Sequence, residues 1–268
     1  MHNPTDEYAV EVQDLIARYG KHVVLKEISL HVESGEIFVI MGGSGSGKST
    51  LLRYLLGLER PAAGCIRILG KELNQLSEME LGELRRKIGV AFQGGALFSS
   101  LSVSENLKLP LREHTALDER TMDIMVRLKL ELVDLAGFAD RMPAELSGGM
   151  LKRTALARAI VMDPKLLFCD EPSAGLDPVV AAGIDDLILK LREAAGMTVV
   201  VVTHELESAF KIADRVAVLD GGKILFIGTL AELRAHPHPR IQALLHRRPV
   251  MSTSDPDEYL RRLTGGVS

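Results

Sequence analysis

The chain has 268 residues, 46% of them hydrophobic and 25% charged, with a formal net charge of −4. These globular values exclude intrinsic disorder, a collagen-like repeat and a coiled coil, and the slightly acidic balance argues against a general nucleic-acid binder. The length suits one or two domains, and the two cysteines, Cys65 and Cys169, cannot build a disulfide framework. Residues 1–20 lack the basic start, apolar run and small-residue cleavage site of a signal peptide, so a reducing, cytoplasmic setting is expected. The longest apolar stretches, Ile37–Met41 and Val199–Val202, fall far short of the roughly 20 residues needed to cross a bilayer. No direct membrane insertion is expected, and any membrane role must run through a partner.

Residues 8–41 read as strands. Ile28, Leu30 and Val32 alternate with Ser29 and His31, and Glu33-Ser34-Gly35-Glu36 supplies a turn before the apolar Ile37–Met41. A glycine-rich loop follows, and then Leu51, Leu52, Leu55 and Leu56 share one helical face. Residues 94–162 lack strand signals and carry helix patterns, among them Met122–Val133 and Ala155, Leu156, Ala159 and Ile160, which predicts a helical insertion. A short strand resumes at Leu166–Cys169, followed by a helix with Ile184, Leu187, Ile188 and Leu191 on one face and a strand over Thr198–Val202. Next come a helix with Leu206, Ala209, Phe210 and Ala213 on one side, and a hairpin in which Asp220-Gly221-Gly222-Lys223 joins Val216–Leu219 to Ile224–Ile227. After about Ala231 the chain reads as a proline-punctuated tail, in which His236 and His238 are expected in solvent rather than on a metal. The expectation is an α/β fold: a parallel sheet with flanking helices, built from 8–93 and 163–232, with 94–162 as a helical subdomain and 233–268 as a C-terminal extension.

The residues Gly42, Gly43, Ser44, Gly45, Ser46, Gly47, Lys48 and Ser49 fit the pattern G-x-x-x-x-G-K-S/T between a strand and a helix, with Thr50 following. Glycines let backbone N–H groups point into one concavity, and the helix N-terminus is electropositive. Lys48 adds a charge that can reach the terminal phosphates of a nucleoside triphosphate, and Ser49 is placed to coordinate magnesium. Leu166–Cys169 runs into two carboxylates. Asp170 is expected to hold the magnesium hydration shell, and Glu171 to position and deprotonate an attacking water. Cys169 itself reads as a small buried residue. Leu146-Ser147-Gly148-Gly149-Met150 precedes another helix, so Ser147 and the glycine N–H groups form a second anion site that cannot easily share one phosphate with the first in a single chain.

At this point the sequence resembles, over nearly its whole length, an ABC-transporter ATPase. That resemblance implies a RecA-like core with an N-terminal antiparallel β subdomain, ATP and Mg2+ as ligands, and a second copy whose signature loop closes over each ATP. Gln93, after a strand Ile88–Phe92, matches the Q-loop glutamine, which in the family touches magnesium or water and reports nucleotide state to a transmembrane permease. Ser173-Ala174-Gly175-Leu176-Asp177 matches the D-loop, which crosses the dimer seam, and His204 matches the switch histidine contacting the γ phosphate. Tyr19 sits where an aromatic stacks on adenine. The signature ends in Met150 where most of the family has glutamine. With Gln93-Gly94-Gly95-Ala96-Leu97-Phe98 and Leu109-Pro110-Leu111-Arg112-Glu113-His114-Thr115, this looks like the ATPase of Mla-type, MCE-associated phospholipid transporters.

The resemblance therefore implies a homodimer on the cytoplasmic face of the bacterial inner membrane, bound to a permease and further lipid-transport subunits, hydrolysing ATP to move phospholipid. One alternative is import of a small polar solute or metal chelate, since the ATPase motifs are shared across substrates and only the Q-loop region speaks against it. The other is a permease-free assembly ATPase, many of which carry two fused cassettes or a long coiled-coil insertion that this sequence does not show. In the tail, Asp255, Pro256 and Glu258 predict a helix start, with Tyr259, Leu260 and Leu263 on one apolar side. The resemblance implies that residues 249–268 reach across to the partner subunit.

Overall fold

The computed structural model describes residues 8–247. The helix expected from Asp255 and the clasp over 249–268 lie outside these residues.

Two sheets organise the fold. The first is antiparallel, with order β2-β1-β4-β5 from β1 (Tyr8–Tyr19), β2 (His22–Glu33), β4 (Ala63–Ile68) and β5 (Lys71–Glu72). The second has order β10-β9-β3-β8-β7-β6, from β3 (Ile37–Met41), β6 (Ile88–Ala91), β7 (Leu166–Asp170), β8 (Thr198–Thr203), β9 (Arg215–Asp220) and β10 (Lys223–Gly228). Its strands pair in parallel except for β10, which returns antiparallel on β9.

The interiors of the parallel strands β3, β7, β8 and β9 are apolar because both faces are covered. Ile37, Val39 and Met41 of β3 join a core with the helices α3 (Val103–His114), α4 (Glu119–Leu132), α5 (Gly148–Ala159) and α6 (Pro178–Ala195). Phe38 and Ile40 point the other way, into a core shared with the antiparallel sheet and α1 (Lys48–Leu55). The same alternation divides β7, with Leu167 and Cys169 on one side and Leu166 and Phe168 on the other. Cys169 is fully buried, and that burial pushes its thiol up to about 12, which leaves it packed and unreactive.

Several elements differ from the sequence expectation. The helix α2 (Glu78–Arg85), closed by a Ser77–Glu80 capping box, and the short β4–β5 pair were not anticipated. The segment Leu109–His114 forms the end of α3, which contains Pro110 and carries Arg112 and His114 in its last turn. The tail after Ala231 is not extended. Beyond α7 (Leu206–Ile212) it contains α8 (Leu230–Ala235) and α9 (Pro239–Leu245), which bury Leu233 and Ile241 in the helical-side core. His238 is not a free solvent group: its ring accepts the Arg240 N–H and caps α9, while His236 lies edge-on to Phe226.

The β9–β10 hairpin turn joins the two sheets. Gly221 and Gly222 both adopt left-handed backbone, as a tight hairpin requires. The Gly222 N–H donates to the Ser46 carbonyl at 3.1 Å, and its own carbonyl accepts from Lys26 N on β2 at 2.8 Å. A Cβ at Gly222 would stand 2.0 Å from the Val24 carbonyl oxygen, so only glycine fits.

Candidate functional site

Because β3, β8 and β7 run side by side in parallel, their carboxyl ends open on one edge, where open α/β sheets bind ligands. From β3 the chain enters the loop 42–47 and then α1. A Cβ at Gly42 would lie 2.2 Å from the Leu219 carbonyl oxygen, so that position tolerates only glycine. Gly47, in left-handed backbone at φ 108°, is the N-cap of α1 and offers no capping side chain. Among the described residues, the N–H groups of Gly45, Gly47, Lys48 and Ser49 carry no hydrogen bond within the chain. Ser46 Oγ is buried and also without a partner.

Lys48 folds back into this cradle, donating from Nζ to the carbonyls of Gly42 at 2.7 Å and Gly43 at 3.0 Å. Burial draws its proton affinity below the usual lysine range, opposed by the charges of Glu171 and Asp170. Ser49 is exposed and Thr50 half-buried at the start of α1. Unpaired N–H groups, a helix N-terminus and a buried ammonium together fit a polyphosphate.

From β7, Asp170 is half-buried, and its carboxyl is held above the ordinary range by that burial and by the neighbouring Glu171. Glu171 is buried and adopts left-handed backbone at φ 48°. Its N–H donates to the Val202 carbonyl at 2.8 Å. Its carboxylate accepts from Thr203 Oγ1 at 3.1 Å and lies 2.8 Å from His204 Nδ1. The pairing of β7 with β8 thus brings together two residues 33 positions apart. Among the described residues, no cluster of three or more His, Cys, Asp or Glu side chains could hold a metal. The oxygen donors Ser49 and Asp170, with phosphate oxygens and water completing the shell, fit Mg2+, which is rarely held by an all-protein cage.

The remaining expected residues lie around this edge. Gln93 is exposed, just beyond β6. Ser147 N-caps α5, its Oγ accepting the Met150 N–H at 3.3 Å, and with Gly148 it faces solvent. Gly149 is buried against Val180, whose Cγ1 a Cβ would meet at 2.5 Å. Met150 packs against the core rather than extending the exposed loop. No hydrogen bond among the described residues joins 147–149 to 42–50. Asp177 caps α6, accepting from the N–H groups of Val179 and Val180, both at 3.1 Å. Tyr19 is exposed, and its hydroxyl donates to Glu59 at 2.9 Å, which raises its pKa.

Two cations of α5 passed unnoticed in the sequence, because charges on a helix ordinarily read as a solvated face. Lys152 Nζ donates to the carbonyls of Gln93 and, at 2.9 Å, Glu171. The Arg158 guanidinium donates to the carbonyls of Gly95 at 2.9 Å and Ala96 at 2.8 Å.

The family model described as ABC transporter matches residues 25–174, from β2 through both carboxylates. The chain belongs to the ABC transporter family. Among its ABC relatives, the Haemophilus influenzae intermembrane phospholipid transport system ATP-binding protein MlaF is 40% identical over 95% of this chain and 97% of its own length. The Clostridium tetani methionine import ATP-binding protein MetN is 39% identical over 90% of this chain and 76% of its own. Among solved structures, a dimeric ATP-binding cassette in a post-hydrolysis state with ADP and phosphate matches with a TM-score of 0.75 and 34% identity, covering 82% of this chain and 98% of that one. The protein is an ABC-type ATP hydrolase, the ATPase subunit of a transporter.

Proposed function

We propose that this ATPase works as a homodimer on a transmembrane permease at the cytoplasmic face of the bacterial inner membrane, with further lipid-transport subunits, and that it drives phospholipid transport. The dimer rests on one observation above all: among the described residues, Ser147 and Gly148 stand exposed at the N-terminus of a 12-residue helix with no hydrogen bond to the phosphate cradle of their own chain. A second copy supplies the phosphate they are built to meet. The phospholipid substrate is supported by likeness to MlaF along almost the full length of both chains. Methionine import by MetN, a similar protein, makes import of a small solute the second reading.

In this reading the loop 42–50 cradles the ATP phosphates, Lys48 neutralises their terminal charge, and Tyr19 stacks on the adenine. Ser49, Gln93 and Asp170 would hold Mg2+, which when bound supplies further charge neutralisation. Glu171 orients the attacking water and takes its proton at a carboxylate oxygen, with His204 fixing that carboxylate and facing the γ phosphate. The D-loop through Asp177 lines the seam.

Copurification of the chain with a membrane subunit, followed by lipid extraction, tests the assignment. Bound phospholipid is expected; a stable complex free of lipid favours the solute reading, and no membrane subunit at all favours a permease-free ATPase. For the dimer, Ser147→Cys and Ser44→Cys should crosslink between chains in the presence of ATP, and bonds formed only within one chain refute the shared site.

A further inference from the structure

The ammonium of Lys152 ties together three pieces of backbone. It lies on α5, the helix that begins at the signature loop, and it grips the chain just after β6, at Gln93, and just after β7, at Glu171. These are neighbouring parallel strands, with Ala91 opposite Cys169. Arg158, farther along the same helix, grips the turn Gly95–Ala96. Three of the four gripped carbonyls belong to residues in the left-handed region: Glu171 at φ 48°, Gly95 at 73° and Ala96 at 48°. That conformation is costly for a residue with a Cβ and persists only where surrounding contacts over-determine it.

Around Glu171 those contacts can be named. The N–H is held by Val202, the carboxylate by Thr203 and His204, and the carbonyl by Lys152 together with the Ala174 N–H at 3.3 Å. Lys152 is therefore the contact that fixes the rotation of this peptide from the side of α5. A lysine that merely covered the helix would point to water, where hydration of the ammonium is strongest. This one is half-buried, and burial pulls its proton affinity down against the opposing charges of Glu171 and Asp170.

We propose that Lys152 is a positioning residue for hydrolysis, a brace that holds the Glu171 peptide and the Gln93 loop in fixed register with the signature helix. The consequence for turnover rests on Glu171 being the base. Movement of α5 at the dimer seam is then felt at once by the carboxylate that activates water and by the loop after β6.

Lys152→Met keeps the aliphatic stem and removes the donors, whereas Lys152→Arg keeps charge and donors. Lys152→Met should lower kcat by about 10–100-fold while the KM for ATP stays within about threefold, because the phosphate cradle is untouched. Lys152→Arg should recover most of the rate, which a role in fold stability alone does not predict. In the nucleotide-free chain, amide hydrogen exchange at Gly95 and Ala174 should quicken by about tenfold in Lys152→Met. A kcat within about twofold of the parent, or a raised KM at unchanged kcat, overturns the proposal. If Glu171→Gln keeps its turnover, the base assignment fails, and the exchange measurement still decides the brace: unchanged exchange rejects it and quickened exchange supports it. Should Lys152→Met not fold, Lys152→Gln is scored at the same amides, with parent-like exchange and rate in a folded protein counting against the brace.

Discussion

Two helices begin at glycine-rich loops in this protein, and they begin differently. The first turn of α1 follows a left-handed glycine without a capping side chain, leaves its N–H groups unpaired and keeps a buried lysine within the loop. The first turn of α5 follows Ser147, whose hydroxyl already caps the Met150 N–H, and its glycine Gly148 faces solvent. A helix end with open donors is organised around an anion; a self-capped, exposed one is stable alone and can add donors to an anion that arrives from outside. In the homodimer proposed above, this contrast lets one chain carry half of each of two identical sites.

The sharpest way to break this comparison is at the α1 side. Glu171→Gln, which keeps size and hydrogen-bonding capacity while removing the base, should lower phosphate release by about 10²–10⁴-fold with ATP still bound; a near-parent rate removes Glu171 from that role. Lys48→Ala acts on the cradle itself and should weaken ATP binding by about 10–100-fold, since hydrogen bonds to charged groups are the strong ones. Titration calorimetry reads this directly, and unchanged affinity would mean that the lysine serves only its two carbonyls.

At the α5 side the effect on the isolated chain should be small. Ser147→Ala removes a cap and should cost about 1 kcal/mol of stability, leaving ATP affinity of the dilute monomer unaltered. Thermal melting and monomer titration check both halves, and a large loss of monomer affinity would place Ser147 at its own chain's cradle. The smallest effect on stability is expected at Asp170, whose carboxyl is raised above its ordinary range by burial and by Glu171. A carboxyl raised on folding weakens the fold above that raised value and does nothing below its unfolded value of about 3.9. Asp170→Asn should therefore raise Tm slightly at neutral pH and leave it unchanged in acid while abolishing turnover; a lower Tm at neutral pH would count against the sign.

Much of the fold was legible because its signals are local. Strand Ile37–Met41 is apolar at every position, and Gly42–Ser49 punctuates it before a leucine-lined helix. The helices of the tail were missed because each is only a turn or two long, although Pro239 at the first helical position after the capping His238 was a readable start signal. The Ser77–Glu80 capping box of α2 was equally readable. What a single sequence could not give is sideways adjacency. The 2.8 Å approach of His204 to Glu171 follows from β7 lying next to β8, and Lys152 meets two strand ends only because α5 crosses them. The environment of Tyr19 was likewise out of reach, since its partner Glu59 comes from a turn 40 residues away.

The Gly221–Gly222 turn carries a practical consequence for handling the protein. A hairpin tip is ordinarily where an epitope, a fluorophore or an inserted domain is tolerated. Here the tip leans on Val24 and Lys26 and holds the Ser46 carbonyl of the phosphate cradle, so an insertion at 221–222 would pry open the nucleotide site from behind. The exposed turn at Ala116–Leu117, between α3 and α4, offers a handle with no tie to that cradle.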